Sequence, residues 1–157
     1  MSESPQPSGQ SFSMSVPAKE ALAQQVHLLR NNLMGPAAEY IMVITTTGRK
    51  SGASFTIPIG YLRDGDTILA LNNGGRSNWY KNVRVNPEVM LEIKGKTMKV
   101  RSEIITDPAE REKIFEYYKS KSAANFDRLF GIPITTSEDE LIQARDRCVF
   151  VRFYPIK

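Results

Sequence analysis

The chain has 157 residues, 41% of them hydrophobic, with a formal net charge of +4, one cysteine and one histidine. That length suits one domain with a single substantial core, and the charge fits an anionic small ligand while being too weak to argue for nucleic acid. The lone histidine, His27, falls in an N-terminal helix and the lone Cys148 in an apolar run, which sets aside a Ser-His-Asp triad, a metal cluster and an internal disulfide.

Residues 1–17 are rich in Ser, Pro and Gln without periodicity and read as a disordered arm, because they lack the apolar surface that offsets ordering entropy. No secretory h-region and no run long enough to span a bilayer is visible, so a cytoplasmic setting is expected. Residues 18–157 read as one domain. It begins with an amphipathic helix over 18–34, where Leu22, Val26, Leu29 and Leu33 recur at helical spacing and Gly35-Pro36 ends the pattern. Its polar face carries Gln and Asn more than Lys and Arg, which fits packing on the domain better than lying on a membrane.

The run 40–47 is apolar and β-branched and reads as a strand. Gly48-Arg49-Lys50-Ser51-Gly52 interrupts it. A second strand follows over 54–63, with Phe55, Ile57, Ile59 and Tyr61 on one face. Asp64-Gly65-Asp66 is a hairpin signal, and 67–71 is the third strand. Asn72-Asn73-Gly74-Gly75 breaks the sheet pattern, with Ser77 as N-cap of a short helix that ends at Asn86-Pro87. Polar residues collect in two loops: Arg49, Lys50 and Ser51 in one, Arg76, Ser77, Lys81 and Arg84 in or after the other. If curvature brings the loops together they form a cationic cleft edged by glycine amides, suited to a phosphorylated ligand. The alternative is a pair of solvated turns.

Strands are expected over 89–93 and 97–105, joined by a turn at Lys94-Gly95-Lys96. Asp107, Pro108 and Glu110 form a helix start with a capping box, and that helix carries Ile114, Phe115, Tyr117 and Tyr118. Phe126, Leu129 and Phe130 mark another short helix, Ser137 opens a further one, and 147–154 is a closing strand. About six strands in hairpin order with few helices predict a mainly β (α+β) fold, an antiparallel barrel with peripheral helices.

The succession Thr45-Thr46-Thr47-Gly48-Arg49-Lys50-Ser51-Gly52, Pro58, Leu62-Arg63-Asp64-Gly65-Asp66, Asn73-Gly74-Gly75, Trp79-Tyr80 and Asn86-Pro87 resembles the deazaflavin-dependent nitroreductase family of split β-barrel, FMN-binding-like oxidoreductases. The likeness spans roughly 40–105. It implies a split barrel that binds coenzyme F420, with Arg49, Lys50 and Ser51 toward the phosphate or oligoglutamate tail. It further implies Pro58, Asn72, Asn73, Gly74 and Gly75 along the deazaflavin ring, and Trp79, Tyr80 and Asn82 closing the pocket. The chain has Phe55 and Asn73 where many relatives carry Arg and Lys, and Arg76, Lys81 and Arg84 are candidates to compensate. Without compensation, FMN becomes the better fit.

The implied chemistry is hydride transfer from the reduced deazaflavin to a small organic acceptor, an enone, quinone or nitro compound, with the hard step carried by the cofactor. Tyr61, Tyr117 and Tyr118 are candidate proton donors by type. Two other readings stand beside it: an FMN-dependent oxidoreductase on the same barrel, and a non-catalytic module that binds a cofactor or lipid-like ligand. No nucleic-acid partner, stable membrane insertion or metal is expected, and a homodimer is left open.

Overall fold

The structure, a computed structural model, describes residues 16–156, with side chains from Lys19 onward. Residues 1–15 of the expected arm lie outside the described residues, and helix α1 (Val16–Arg30) already includes the last part of it. Helix α1 stops four residues before the expected end at 34. Asn32 takes φ +55°, Leu33 N donates to Leu28 O (2.8 Å), and Asn32 N donates to Leu29 O (3.1 Å). This is a left-handed C-terminal cap with Asn in the place more often held by Gly. Leu33 is therefore thrown outward and is 64% exposed, while Val26 and Leu29 pack on Val43.

After a 3₁₀ turn at Gly35–Glu39 come β1 (Ile41–Thr47), β2 (Ser54–Gly60), β3 (Leu62–Asp64), β4 (Thr67–Asn73), α2 (Asn78–Val85), β5 (Glu88–Ile93) and β6 (Lys96–Ile105). Then follow α3 (Pro108–Lys121), α4 (Phe126–Phe130), α5 (Glu138–Arg147) and β7 (Cys148–Pro155). The seven strands form one antiparallel sheet in the order β2-β1-β5-β6-β7-β4-β3. The expected second strand is thus two strands. β2 pairs with β1 and β3 pairs with β4, on opposite edges of the sheet, although only Tyr61 separates them in sequence.

Tyr61 holds that corner. Its N–H donates to Tyr40 O (2.9 Å) and its hydroxyl to Ala38 O (2.9 Å). Consecutive strands on opposite edges require the sheet to curl until those edges approach, which makes it a split barrel. Pro58 lies in the edge strand β2, where a missing N–H costs no ladder bond.

Two apolar cores result. Met42, Ile44, Ile68, Leu91, Val100, Val151 and Phe153 fill the barrel with Trp79 and Val83 of α2. Outside it, Ile114, Phe115, Tyr118, Phe126, Phe130 and Leu141 of the helices cover Leu69, Ile105 and Phe150. The capping box reads through: Asp107 accepts from Glu110 N (2.9 Å) at the start of α3. Ser77 precedes α2 but makes no capping bond, because its hydroxyl accepts from Asn72 Nδ2 (2.7 Å). β4 runs on through Asn72 and Asn73, which pair with Val149 and Cys148 of β7.

Candidate functional site

The turn between β1 and β2 is closed by its own backbone. Gly48 N donates to Ala53 O (2.7 Å), Gly52 N to Gly48 O (3.0 Å), and Ala53 N to Ser51 Oγ (3.1 Å). Gly52 takes φ +75°, which glycine adopts without a Cβ penalty. Gly48 is needed for close approach: a Cβ there would meet Phe55 Cε2 at 2.6 Å, Ser51 Oγ at 2.9 Å and Ala53 O at 3.3 Å.

Arg49 ties this turn to α2. Its N–H and Nη1 donate to Asn82 Oδ1 (3.2 and 2.8 Å), and Nη2 donates to Asn78 Oδ1 (3.4 Å). Asn82 Nδ2 in turn donates to Thr46 Oγ1 (3.0 Å). Asn82 is 2% exposed, so one buried amide joins β1, the turn and α2. The partners of the guanidinium are neutral carbonyl oxygens, which orient it without cancelling its charge.

Between the turn, β2 and the start of α2 lies a cleft of about 530 Å³. Lys19, Arg49 and Lys50 supply three cations, Ser51, Asn78 and Asn82 supply polar groups, and Phe55, Ile57 and Trp79 form an apolar wall. No carboxylate is among the described residues that line it. That donor set fits a ligand with more than one negative charge and an apolar portion.

A second cavity, about 240 Å³, opens where the two sheet edges approach. Pro58, Ile59 and Gly60 of β2 face Leu71 of β4 across it, Tyr61 and Tyr118 contribute phenols, and residues 122–129 roof it. The two hollows share strand β2.

The sequence-derived site residues therefore divide by place. Arg49, Lys50, Ser51, Trp79 and Asn82 meet at the cleft, and Pro58 borders the second cavity. Asn72 and Asn73 end β4, and Gly74 and Gly75 carry the chain on toward α2. Asn72 Oδ1 accepts from Ser77 N (3.1 Å), and Asn73 Nδ2 donates to Leu129 O (3.4 Å). Gly74 (φ +92°) and Gly75 (φ +67°) are both left-handed. A Cβ on Gly74 would meet nothing, whereas one on Gly75 would reach Val149 Cγ2 at 3.2 Å and Tyr80 Cε2 at 3.5 Å.

Arg76, Lys81 and Arg84 do not line the cleft, and Arg84 instead stacks over the Tyr80 ring at 5.7 Å. The third cation of the cleft is instead Lys19 on α1. Sequence reasoning also passed over Asn78. Its spacing of four from Asn82, on one helix face, was the available signal.

The three tyrosines separate by environment. Tyr61 spends its hydroxyl on Ala38 O, and burial pushes its pKa up. Tyr117 donates to Arg63 O (2.6 Å), away from both hollows just described. Tyr118 lines the second cavity and makes no hydrogen bond through its hydroxyl among the described residues. Burial, reinforced by nearby Cys148, drives its pKa far upward.

Burial also pushes the Cys148 thiol up to about 11, Arg147 and Arg111 opposing it. Both groups hold their protons longer folded than unfolded, so the unfolded chain binds fewer protons above its ordinary thiol value of 9.0. Stability is expected to be level with respect to these groups up to about pH 8 and to fall between about pH 9 and 11. Melting curves across that range check the sign.

The family model described as F420H(2)-dependent quinone reductase matches residues 23–136. The chain belongs to this family.

An F420H(2)-dependent quinone reductase of Mycobacterium tuberculosis is 36% identical over 62 residues, a stretch covering 37% of this chain and 42% of that protein. The match thus spans less than half the length of that relative. Among solved structures, an F420-H2 dependent reductase superposes with a TM-score of 0.51 at 23% identity, covering 71% of this chain and 92% of the other. An FAD-binding protein of Mesorhizobium loti gives 0.53 at 13% identity, covering 86% and 90%. At such identities these likenesses establish the split-barrel fold alone. The motifs that resembled deazaflavin-dependent nitroreductases led to this fold and to an F420-type family.

Proposed function

We propose that the chain is an oxidoreductase that uses reduced coenzyme F420 to reduce a quinone-type acceptor. The observation that carries the reading is the cleft of Lys19, Arg49 and Lys50 without an opposing carboxylate among its described lining, in a chain of this family. Lys19, Lys50 and Ser51 would hold the phosphate and carboxylates of the tail, with Arg49 held in place by Asn82. Pro58 and residues 72–75 would border the ring. When bound, the reduced deazaflavin supplies a hydride to the acceptor.

The protein's own part is to bind, orient and screen. Phe55, Ile57 and Trp79 keep one wall of the cleft apolar, and there is open space beside Gly74. Tyr118 acts as a hydrogen-bond donor to an acceptor oxygen rather than as an acid, since losing its proton would strand a phenolate in a buried site. The product's proton then comes from water. A cytoplasmic setting belongs to the same reading; among the described residues no helix is long and apolar enough to cross a membrane.

The second reading, FMN in place of F420, is favoured by one observation: Arg76, Lys81 and Arg84 stand outside the cleft, leaving three cations where a longer polyanion could engage more. A fluorescence titration with oxidised F420 and with FMN separates the two, and tighter binding of F420 is expected. Replacing Lys19→Gln with Lys50→Gln leaves the Arg49–Asn82 tether intact. The double variant should bind F420 about tenfold more weakly at low salt and lose part of the salt dependence, as for partly exposed charge-assisted contacts. Unchanged affinity and salt dependence would remove the cleft from the role of tail site.

A further inference from the structure

The roof of the second cavity carries a pattern that neither the family nor the proposed reaction assigns. After α3, residues 122–129 turn through a 3₁₀ segment into α4. Ser122, Asn125 and Arg128 recur every three residues along it, and all three line the cavity. Spacing of three on successive helical turns aligns side chains on one face.

Among the described residues, the Ser122 hydroxyl, the Asn125 amide and the Arg128 guanidinium have no side-chain hydrogen-bond partner; Arg128 bonds to Asp127 Oδ1 only through its backbone N (2.9 Å). Among the described residues that line the cavity, Arg128 is also the one charged residue, and no Asp or Glu accompanies it. The floor is different in kind. Ile41, Pro58, Ile59 and Leu71 give it apolar walls, and Tyr118 of α3 lines it as well. At about 240 Å³ the cavity lies just below the ~300 Å³ lower end of ordinary small-molecule sites.

A hollow with an apolar floor and a rim of hydroxyl, amide and guanidinium donors recognises a small ring system bearing an acidic substituent. A neutral ring can accept hydrogen bonds from that rim but leaves the Arg128 charge unmatched. From this juxtaposition we infer that the cavity selects acceptors in which a flat ring carries a carboxylate or sulfonate, with Arg128 as the residue that determines the preference. The inference rests on the reading of the chain as a reductase only in calling the ligand an acceptor; the recognition itself needs no cofactor.

Calorimetric titration of the full chain with 2-naphthoate and with its neutral counterpart 2-naphthamide tests it directly. The acid should bind about tenfold more tightly, the discrimination of a charge-assisted contact partly open to water. Arg128→Gln should bring the two affinities together by weakening the acid alone, and Arg128→Lys should restore part of the difference. Arg128 is exposed, so both variants are expected to melt like the parent, which a thermal scan verifies.

Equal affinity for the two probes in the parent, no binding of either probe, or a preference that survives Arg128→Gln, overturns the inference. F420 titration of the same samples keeps the two claims apart. F420 binding without naphthoate preference sinks the selectivity and leaves the cofactor reading standing. Naphthoate preference without F420 binding does the reverse.

Discussion

Asn82→Leu should unfasten the basic turn and remove anion binding together. The leucine fills similar space but leaves the Arg49 N–H and guanidinium and the Thr46 hydroxyl without their shared partner. Orphaning buried polar groups costs about 1–3 kcal/mol each, less where water can reach them, so a loss of about 2–4 kcal/mol is expected. For a domain of this size that lowers Tm by about 5–12 °C. Asn82→Asp makes the complementary test. It keeps the acceptor for Arg49, reverses the bond to Thr46, whose hydroxyl can donate to the carboxylate, and adds a negative charge beneath the cleft. It should melt closer to the parent than Asn82→Leu does, yet bind F420 at least about tenfold more weakly, because the added charge opposes the ligand. Melting curves and F420 titrations on both variants read geometry and charge separately. If Asn82→Leu binds F420 as the parent does, the turn does not need its tether.

The second large effect is expected at Phe130. This ring is wholly buried, stacks on Phe126 at 4.5 Å between centroids, and meets Phe115 and Tyr118 edge-on at 5.1 and 5.9 Å. Phe130→Ala should cost about 3–5 kcal/mol, the range for emptying an aromatic site in a packed core. The damage is not confined to stability. Phe130 is the last residue of α4, and Gly131 follows at φ +79° as its left-handed cap. Loosening that helix frees Arg128 and Leu129, so naphthoate binding should weaken while F420 affinity changes less. Denaturant melts with parallel titrations check both. A change below about 1 kcal/mol would mean the helical cluster does not depend on this ring.

The two sites were legible to different degrees, and the reasons are physical. The β1–β2 turn declared itself through Gly, Arg, Lys and Ser in succession, and the hairpin at Gly65 and Asp66 through turn chemistry that is local to those residues. The break at Tyr61 was hidden. The run from Ser54 to Arg63 keeps its β pattern without interruption, and only the choice of partner strand changes there. Partner choice is a property of the curled sheet and leaves no mark on alternation. Lys19 was invisible as a site residue for the same reason: its place depends on how α1 lies across β1 and β2, and on the Arg30–Glu92 ion pair (2.7 Å) that pins the helix to β5. In the roof segment, Phe126, Leu129 and Phe130 gave away a helix by their apolarity. The Ser122, Asn125 and Arg128 face carried no apolar signal, so hydrophobic periodicity could not find it.

The position of β7 sets the order in which this fold can be completed. It is the last of the described strands to leave the ribosome, yet it lies in the interior of the sheet, between β6 and β4. Until it arrives, the β3–β4 hairpin has no neighbour on its long side, and Ile68, Leu69 and Ala70, which end wholly buried, face the solvent. The nascent chain therefore carries an unpaired, aggregation-prone edge from the synthesis of β4 until that of β7. Sealing the barrel is a late event dominated by contacts far apart in sequence, the slow kind. A holdase that covers exposed strands would matter most during that interval, and a release of the ribosome delayed near residue 148 would lengthen it.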